Sequence, residues 1–289
     1  AAVAAICTVG IAGLLAWQVR ETTRDARVLA RNFYGALKVS DSGPPGGELA
    51  MRTLVHGAIT HGRQFLSPGR RRLPTTYYGP KSGVGLALED SRHGGGPLRV
   101  GVVGLGAGTI AAYGRRGDTY RFYEINPLVV RLADSEFSYL RDSDAKVDVV
   151  LGDARLSLEA EPPRGYDVLV VDAFSGDSIP VHLLTREAFD LYFRHLEGDG
   201  ILAVHVSNKY LDLAPVVARA AESAGRTAMV VDTGDDAASG VYAATWVLVS
   251  KDPRRLAGPG LSEAGEPPAP GARGRLWTDD YSNLFRILK

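Results

Sequence analysis

Three glycines in Gly104-Leu-Gly106-Ala-Gly108 follow an apolar run and precede a stretch of helical composition. Glycines at a strand-to-helix turn let backbone N–H groups come close to a ligand, and the start of a helix favours electron-rich groups. A dinucleotide fingerprint wants a third Gly or Ala where this chain has Thr109, so the turn misses that pattern at one position. Glu124 stands 20 residues past Gly104, where a carboxylate can accept hydrogen bonds from both hydroxyls of a ribose. Asp153, in Gly152-Asp153-Ala154, follows the next apolar run, and an acid there can accept from an adenine amino group in the same crevice. Asp172 closes the run after that. These positions fall at the C-terminal ends of successive predicted strands, the edge at which open α/β sheets bind ligands. Gly104, Gly106, Gly108, Glu124, Asp153 and Ala154 are therefore the candidate contacts to an adenosine-containing molecule.

Such a set of loops needs a parallel sheet to hold it. Apolar strands are predicted at 99–103, 119–124, 147–151, 168–172 and 200–206, with helices at 107–114, 127–137, 185–196 and 213–224. Segments 227–232 and 241–250 read as two strands joined without a helix, hence antiparallel. The expected class is α/β, Rossmann-like, a parallel sheet with an antiparallel last strand. A small β module precedes it, with strands at 32–39 and 52–64 separated by the turn-rich 41–47. Residues 254–274, rich in Pro and Gly, read as a surface loop before a final segment, 276–289. The boundaries expected are 1–27 for an apolar helix and basic linker, 28–92 for the β module and 93–289 for the catalytic domain.

The chain has 289 residues with 33 Lys+Arg against 33 Asp+Glu, and this balance removes the strongest argument for nucleic acid, which needs a basic surface. A single cysteine, Cys7, excludes an intramolecular disulfide and a cysteine-built zinc site. His56 and His61 lie five apart on a predicted strand and point to opposite faces, a poor metal pair. His205, at a strand end near the crevice, reads as a satisfied core histidine, and no metal is expected. Residues 1–19 carry no charge and would cover about 28 Å as a helix, close to the hydrocarbon thickness of a bilayer. Trp17 stands at the anchor position, and Arg20, Arg24, Arg27 and Arg31 follow, so a transmembrane helix is expected with the remainder on the cytoplasmic side. The first residue is Ala rather than Met, which suggests the tail of a longer, multi-spanning polypeptide.

The glycine turn, Glu124-Ile-Asn-Pro127 and Gly152-Asp-Ala154 resemble the class I S-adenosylmethionine-dependent enzymes, a methyltransferase-like superfamily. Within it the order resembles the spermidine synthases (polyamine aminopropyltransferases), in particular the bacterial form joined to a membrane transporter-like region. Asn32-Phe-Tyr-Gly35, His56-Gly57, His61-Gly62 with Gln64, Thr76-Tyr-Tyr78, the run from Val171 to Pro180, and Trp277-Thr-Asp-Asp-Tyr281 carry the same resemblance. It covers about residues 31–289. It implies a small β-sheet packed on a Rossmann-like domain, with decarboxylated S-adenosylmethionine as aminopropyl donor and a polyamine-like amine as acceptor. A homodimer would be usual for the family.

By the resemblance Asp172 is the catalytic aspartate, and 174–180 corresponds to the active-site gate. The family's second aspartate, three positions on, is Ser175 here, and Asp177 is the candidate replacement. The family's acid inside the glycine turn is Ala107, which removes one reason to prefer the decarboxylated donor over ordinary S-adenosylmethionine. Gln64 resembles a cofactor contact, and Tyr77 and Tyr78 resemble acceptor contacts. Asp279 and Asp280, between Trp277 and Tyr281, have the carboxylates and aromatic walls that a polycation needs. The same two acids also suit a helix cap. Three activities remain open at this point: aminopropyl transfer to a putrescine-like diamine with Asp172 as general base, methyl transfer on the same scaffold, and non-catalytic sensing of a nucleotide or polyamine for a transporter.

Overall fold

A computed structural model describes residues 2–173, 180–269 and 275–289. Helix α1 (Ala2–Thr23) leads into β1 (Ala26–Asn32), β2 (Gly35–Ser42), β3 (Met51–His56) and β4 (Ile59–Phe65), a four-stranded antiparallel meander. The strand expected over 32–39 is two strands, because a two-residue turn between Asn32 and Gly35 reverses the chain. The segment 52–64 likewise holds both β3 and β4. Alternation puts Leu37, Val39 and Leu54 on the buried face.

The membrane-spanning helix expected over 1–19 is not met: among the described residues no helix is long and apolar enough to cross a membrane. Ile6, Leu14 and Trp17 of α1 are exposed.

The second sheet starts after α2 (Gly83–Ser91). Its strands are β5 (Arg99–Val103), β6 (Thr119–Glu124), β7 (Lys146–Leu151), β8 (Tyr166–Val171), β9 (Leu196–His205), β10 (Thr227–Thr233), β11 (Ala244–Ser250) and β12 (Gly265–Glu266). They are ordered 12-10-11-9-8-5-6-7. Strands β9, β8, β5, β6 and β7 run parallel, and β11 inserts antiparallel between β9 and β10. This is the α/β class that the sequence implies.

Helices α3 (Pro127–Ser135) and α4 (Tyr139–Asp142) cross from β6 to β7, and α5 (Ala154–Ala160) from β7 to β8. Helix α6 (Arg186–His195) leads to β9, α7 (Ala214–Ser223) to β10, and α8 (Pro259–Ala264) to β12. A helix expected over 107–114 is only a 3₁₀ turn, Thr109–Tyr113, because Gly114 ends it and a second turn at residues 115–118 starts at once. Polar caps begin the crossover helices: just past β6 and β7 the side chain of Asn126 accepts from the Leu128 N–H and that of Asp153 from Leu156, and before α6 that of Thr185 accepts from Ala188.

One face of the large sheet buries Val100, Phe122 and Trp246 together with Leu88 of α2 and with Leu37, Val39 and Leu54 of the small sheet. The other buries Leu169 and Val204 under Phe189, Tyr192 and Val217. Each such fully buried side chain contributes roughly 1.5–3 kcal/mol. Polar links fix how the small sheet sits. Asn32 Nδ2 donates to Asn126 Oδ1 at 2.6 Å, Gln64 bonds Ser138, and an Arg52 guanidinium N–H reaches the Glu136 carbonyl at 2.8 Å.

Candidate active site

Register assembles the site. Val103 pairs with Val171 and Val171 with Val204, so Gly104, Asp172 and His205 leave three neighbouring parallel strands at one level. Space at the turn is tight. At Gly104 (φ +99°) a Cβ would lie 2.3 Å from the Asp172 carbonyl oxygen. At Gly106 (φ +54°) it would lie 2.4 Å from the His61 carbonyl oxygen on β4. Ala107 donates its N–H to that same carbonyl at 3.2 Å, so the turn is gripped between the two sheets.

Glu124 accepts from the Leu105 N–H at 3.1 Å and from the Asn126 N–H at 2.8 Å, which ties the turn to the end of β6. Burial pushes its carboxyl above the ordinary value, and the backbone donors oppose that shift. Asp153 uses one oxygen on the Leu156 N–H at 3.0 Å, and the other lies 3.3 Å from His182 Nε2. Gly104, Gly106, Glu124, Asp153 and Ala154 line one cavity of about 120 Å³ with Ile125 and Leu183. Gly108 packs instead against Leu140.

A second cavity of about 310 Å³ is lined by Tyr77, Tyr78, His205, Ser207, Asn208 and Lys209. The two cavities share His61, Gly106 and Asp172, so the carboxylate stands at the waist between them. Asp172 is held on both oxygens. The Tyr78 hydroxyl donates to Oδ2, and Oδ1 lies 2.7 Å from His205 Nδ1. His205 Nε2 is 2.7 Å from Ser207 Oγ, which accepts the Thr245 N–H at 2.8 Å. The imidazole stacks on Trp246 at 4.7 Å and meets Tyr77 at 5.2 Å.

Burial, with the Asp172 charge beside it, pushes the Tyr78 hydroxyl well above the usual phenol range, so it stays a donor. Burial pulls His61 down to about 4, which leaves a neutral imidazole in the waist. Among the described lining residues of the second cavity, Asp172 is the carboxylic acid and Lys209 the amine.

The remaining expected residues lie elsewhere. Gln64 is buried, with its amide donating to the Arg71 carbonyl and Ser138 Oγ and accepting from the Ser138 N–H, and it lines neither cavity. Asp279 and Asp280 line a third cavity with Arg155, Thr185 and Tyr281. Arg155 grips Asp279 with two hydrogen bonds of 2.7 and 2.6 Å, and the Thr185 hydroxyl donates to it as well. Asp177 and the rest of 174–179 fall outside the described residues. His205, read as a core histidine, is buried but bonded to Asp172. The available signal was its place at the end of the strand that neighbours the one ending in Asp172.

This geometry has known counterparts. The chain is 34% identical over 203 residues to Polyamine aminopropyltransferase 2 of Streptomyces coelicolor, covering 66% of this chain and 34% of that one. It is 30% identical over 116 residues to the polyamine aminopropyltransferase of Vibrio vulnificus, 38% of each. Over these stretches the chain is similar to the polyamine aminopropyltransferases, the spermidine synthase family. A probable spermidine synthase from Corynebacterium glutamicum has the same fold at 18% identity, with a TM-score of 0.64 over 89% of this chain and 98% of that one. The chain spans little more than a third of the length of these two curated relatives. No family model matches it.

Proposed function

We propose that this chain transfers an aminopropyl group from decarboxylated S-adenosylmethionine to a small amine of the putrescine type, with Asp172 as the proton acceptor. The observation that carries the reading is the position of Asp172 at the waist of a two-chambered cleft. On this reading the adenosine half of the donor fills the chamber of Glu124 and Asp153, with ribose hydroxyls on the first and the adenine amino group on the second. The acceptor enters past Tyr77 and Tyr78.

The acceptor nitrogen attacks the carbon next to the sulfonium. A C–N bond forms, the C–S bond breaks, and its electron pair goes to sulfur, so the leaving group needs no acid. An amine of pKa about 10 must first give up a proton, and a fixed carboxylate beside it can take that proton. Tyr78 and His205 hold the carboxylate in one orientation, which serves near-attack geometry. Ala107 places no charge against the donor's tail. It is buried and pressed against Gly62, so selection of the donor rests on the rest of the waist.

The test is Asp172→Asn. Donor affinity by calorimetry should stay within about threefold, while turnover, followed by mass spectrometry of the acceptor, should fall by about 10²–10⁴. Undiminished turnover, or a methyl rather than an aminopropyl adduct from the parent protein, would remove the proposal.

A further inference from the structure

Asp172 is not an isolated acid. Its Oδ1 meets His205 Nδ1 at 2.7 Å, and the far ring nitrogen meets Ser207 Oγ at 2.7 Å. The Ser207 oxygen already accepts the Thr245 N–H, so its own hydrogen is available to Nε2. A carboxylate opposite Nδ1 requires a proton on that nitrogen. Of the two neutral tautomers these partners select one, with Nδ1–H donating to Asp172 and Nε2 accepting from Ser207. The ring cannot turn away, because Trp246 stacks on it and Tyr77 closes the other side.

The geometry points to His205 as a positioning residue for Asp172: while neutral it fixes the carboxylate for the incoming amine, and when it gains a second proton it suppresses the proton transfer. This rests on the aminopropyl-transfer reading. The amine's proton moves to Asp172 and leaves a neutral acid beside a neutral imidazole. If Nε2 is already protonated, the carboxylate faces an imidazolium at hydrogen-bond distance, and the same transfer would discharge that ion pair.

Other groups face the imidazole. Asp172 comes from the end of β8, His61 from β4, Tyr77 and Tyr78 from the segment before α2, and Lys209 from beyond β9. Burial keeps His61 and Tyr78 neutral near pH 7, so Asp172 is the charged group in direct contact with the ring and Lys209 the cation at the cavity.

The experiment is the pH dependence of kcat/KM for the parent, His205→Asn and His205→Phe. Because the amine's proton passes to Asp172 within the complex, log(kcat/KM) is flat against pH while the free amine is charged and Asp172 ionised. In the parent it should turn down with a slope of one as the imidazole gains its second proton. The Asn amide can donate to Asp172 without titrating, so His205→Asn should lose that downturn above the carboxylate range and retain kcat within about tenfold. His205→Phe removes the donor and should lose about 10²-fold in kcat at unchanged donor affinity. The same downturn retained in His205→Asn, or full activity in His205→Phe, overturns the inference, while an inactive Asp172→Asn still supports the underlying reading.

A substrate-free measurement closes the test. Imidazole ¹⁵N spectra of the full chain should show His205 protonated on Nδ1 at neutral pH, and protonation on Nε2 alone would overturn the assignment even without turnover.

Discussion

One methyl group added at Gly106 should pry the small sheet off the ligand turn. The backbone there has φ +54°, a left-handed conformation that costs an L-residue about 1 kcal/mol. The new Cβ would sit 2.4 Å from the His61 carbonyl oxygen. That is about 1 Å inside an ordinary carbon–oxygen contact. The obstacle is the backbone of β4, locked to β3 through the Leu54–Gly62 pair, and it cannot rotate aside. Relief by backbone shifts costs about 1–3 kcal/mol, and loss of the Ala107 N–H bond to the same oxygen adds about 1 kcal/mol. A total of roughly 3–5 kcal/mol corresponds to a fall in Tm on the order of 10 °C for a chain of this size. The assay is thermal unfolding by circular dichroism, with donor titration on the same samples. Gly198→Ala is the control. It is exposed with open space around its Cβ, and its change should stay within about 1 kcal/mol. If Gly106→Ala melted within about 2 °C of the parent and bound the donor equally well, the close approach of β4 to the turn would be refuted.

Two further outcomes follow from charges. His61 is held to about 4 by burial, against about 6.5 when unfolded, so the unfolded chain takes up the proton first as pH falls. Its stability term is complete above about 6.5 and is lost between about 6.5 and 4, on the order of 3 kcal/mol. His61→Leu should therefore move acid unfolding to lower pH, and coincident acid curves for the two proteins would contradict a buried neutral imidazole. Asp279 is lowered to about 2, first by its hydrogen bonds to Arg155, so its contribution is present above the ordinary carboxylate pKa and lost as pH falls through about 2. The pair is partly exposed, so Asp279→Asn should cost no more than about 1 kcal/mol and leave KM for the amine within twofold. A tenfold rise in KM would instead place the acceptor on that side chain.

The ligand edge was legible because parallel strands buried on both faces read as continuous apolar runs, and the positions just past them collect glycines and caps. Asp153 is one example, since it both caps α5 and faces the cavity. Where the reading depended on pairs distant in sequence, it stopped. Arg155 and Asp279 are 124 residues apart, and nothing local announces that they meet. His205 needed the β8–β9 register, which alternation within one strand cannot supply. The predicted helix over 107–114 has helical composition, yet Gly114 and the turn after it leave length for a single 3₁₀ turn. In the small sheet a two-residue turn hid inside what reads as one strand. Gln64, a ligand contact by the resemblance, bonds Arg71 and Ser138, the latter 74 residues away and announced by nothing local.

The carbonyl of His61 and the amide of Ala107 belong to different sheets, and their contact has a practical consequence for anyone trimming this chain. A fragment beginning near residue 93 would keep every strand of the large sheet yet strip the cover from Val100 and Phe122. It would also leave the Ala107 amide without its acceptor at the glycine turn. Such a fragment should come out sticky and lose affinity for the proposed donor, so the two sheets are best expressed together as one indivisible piece.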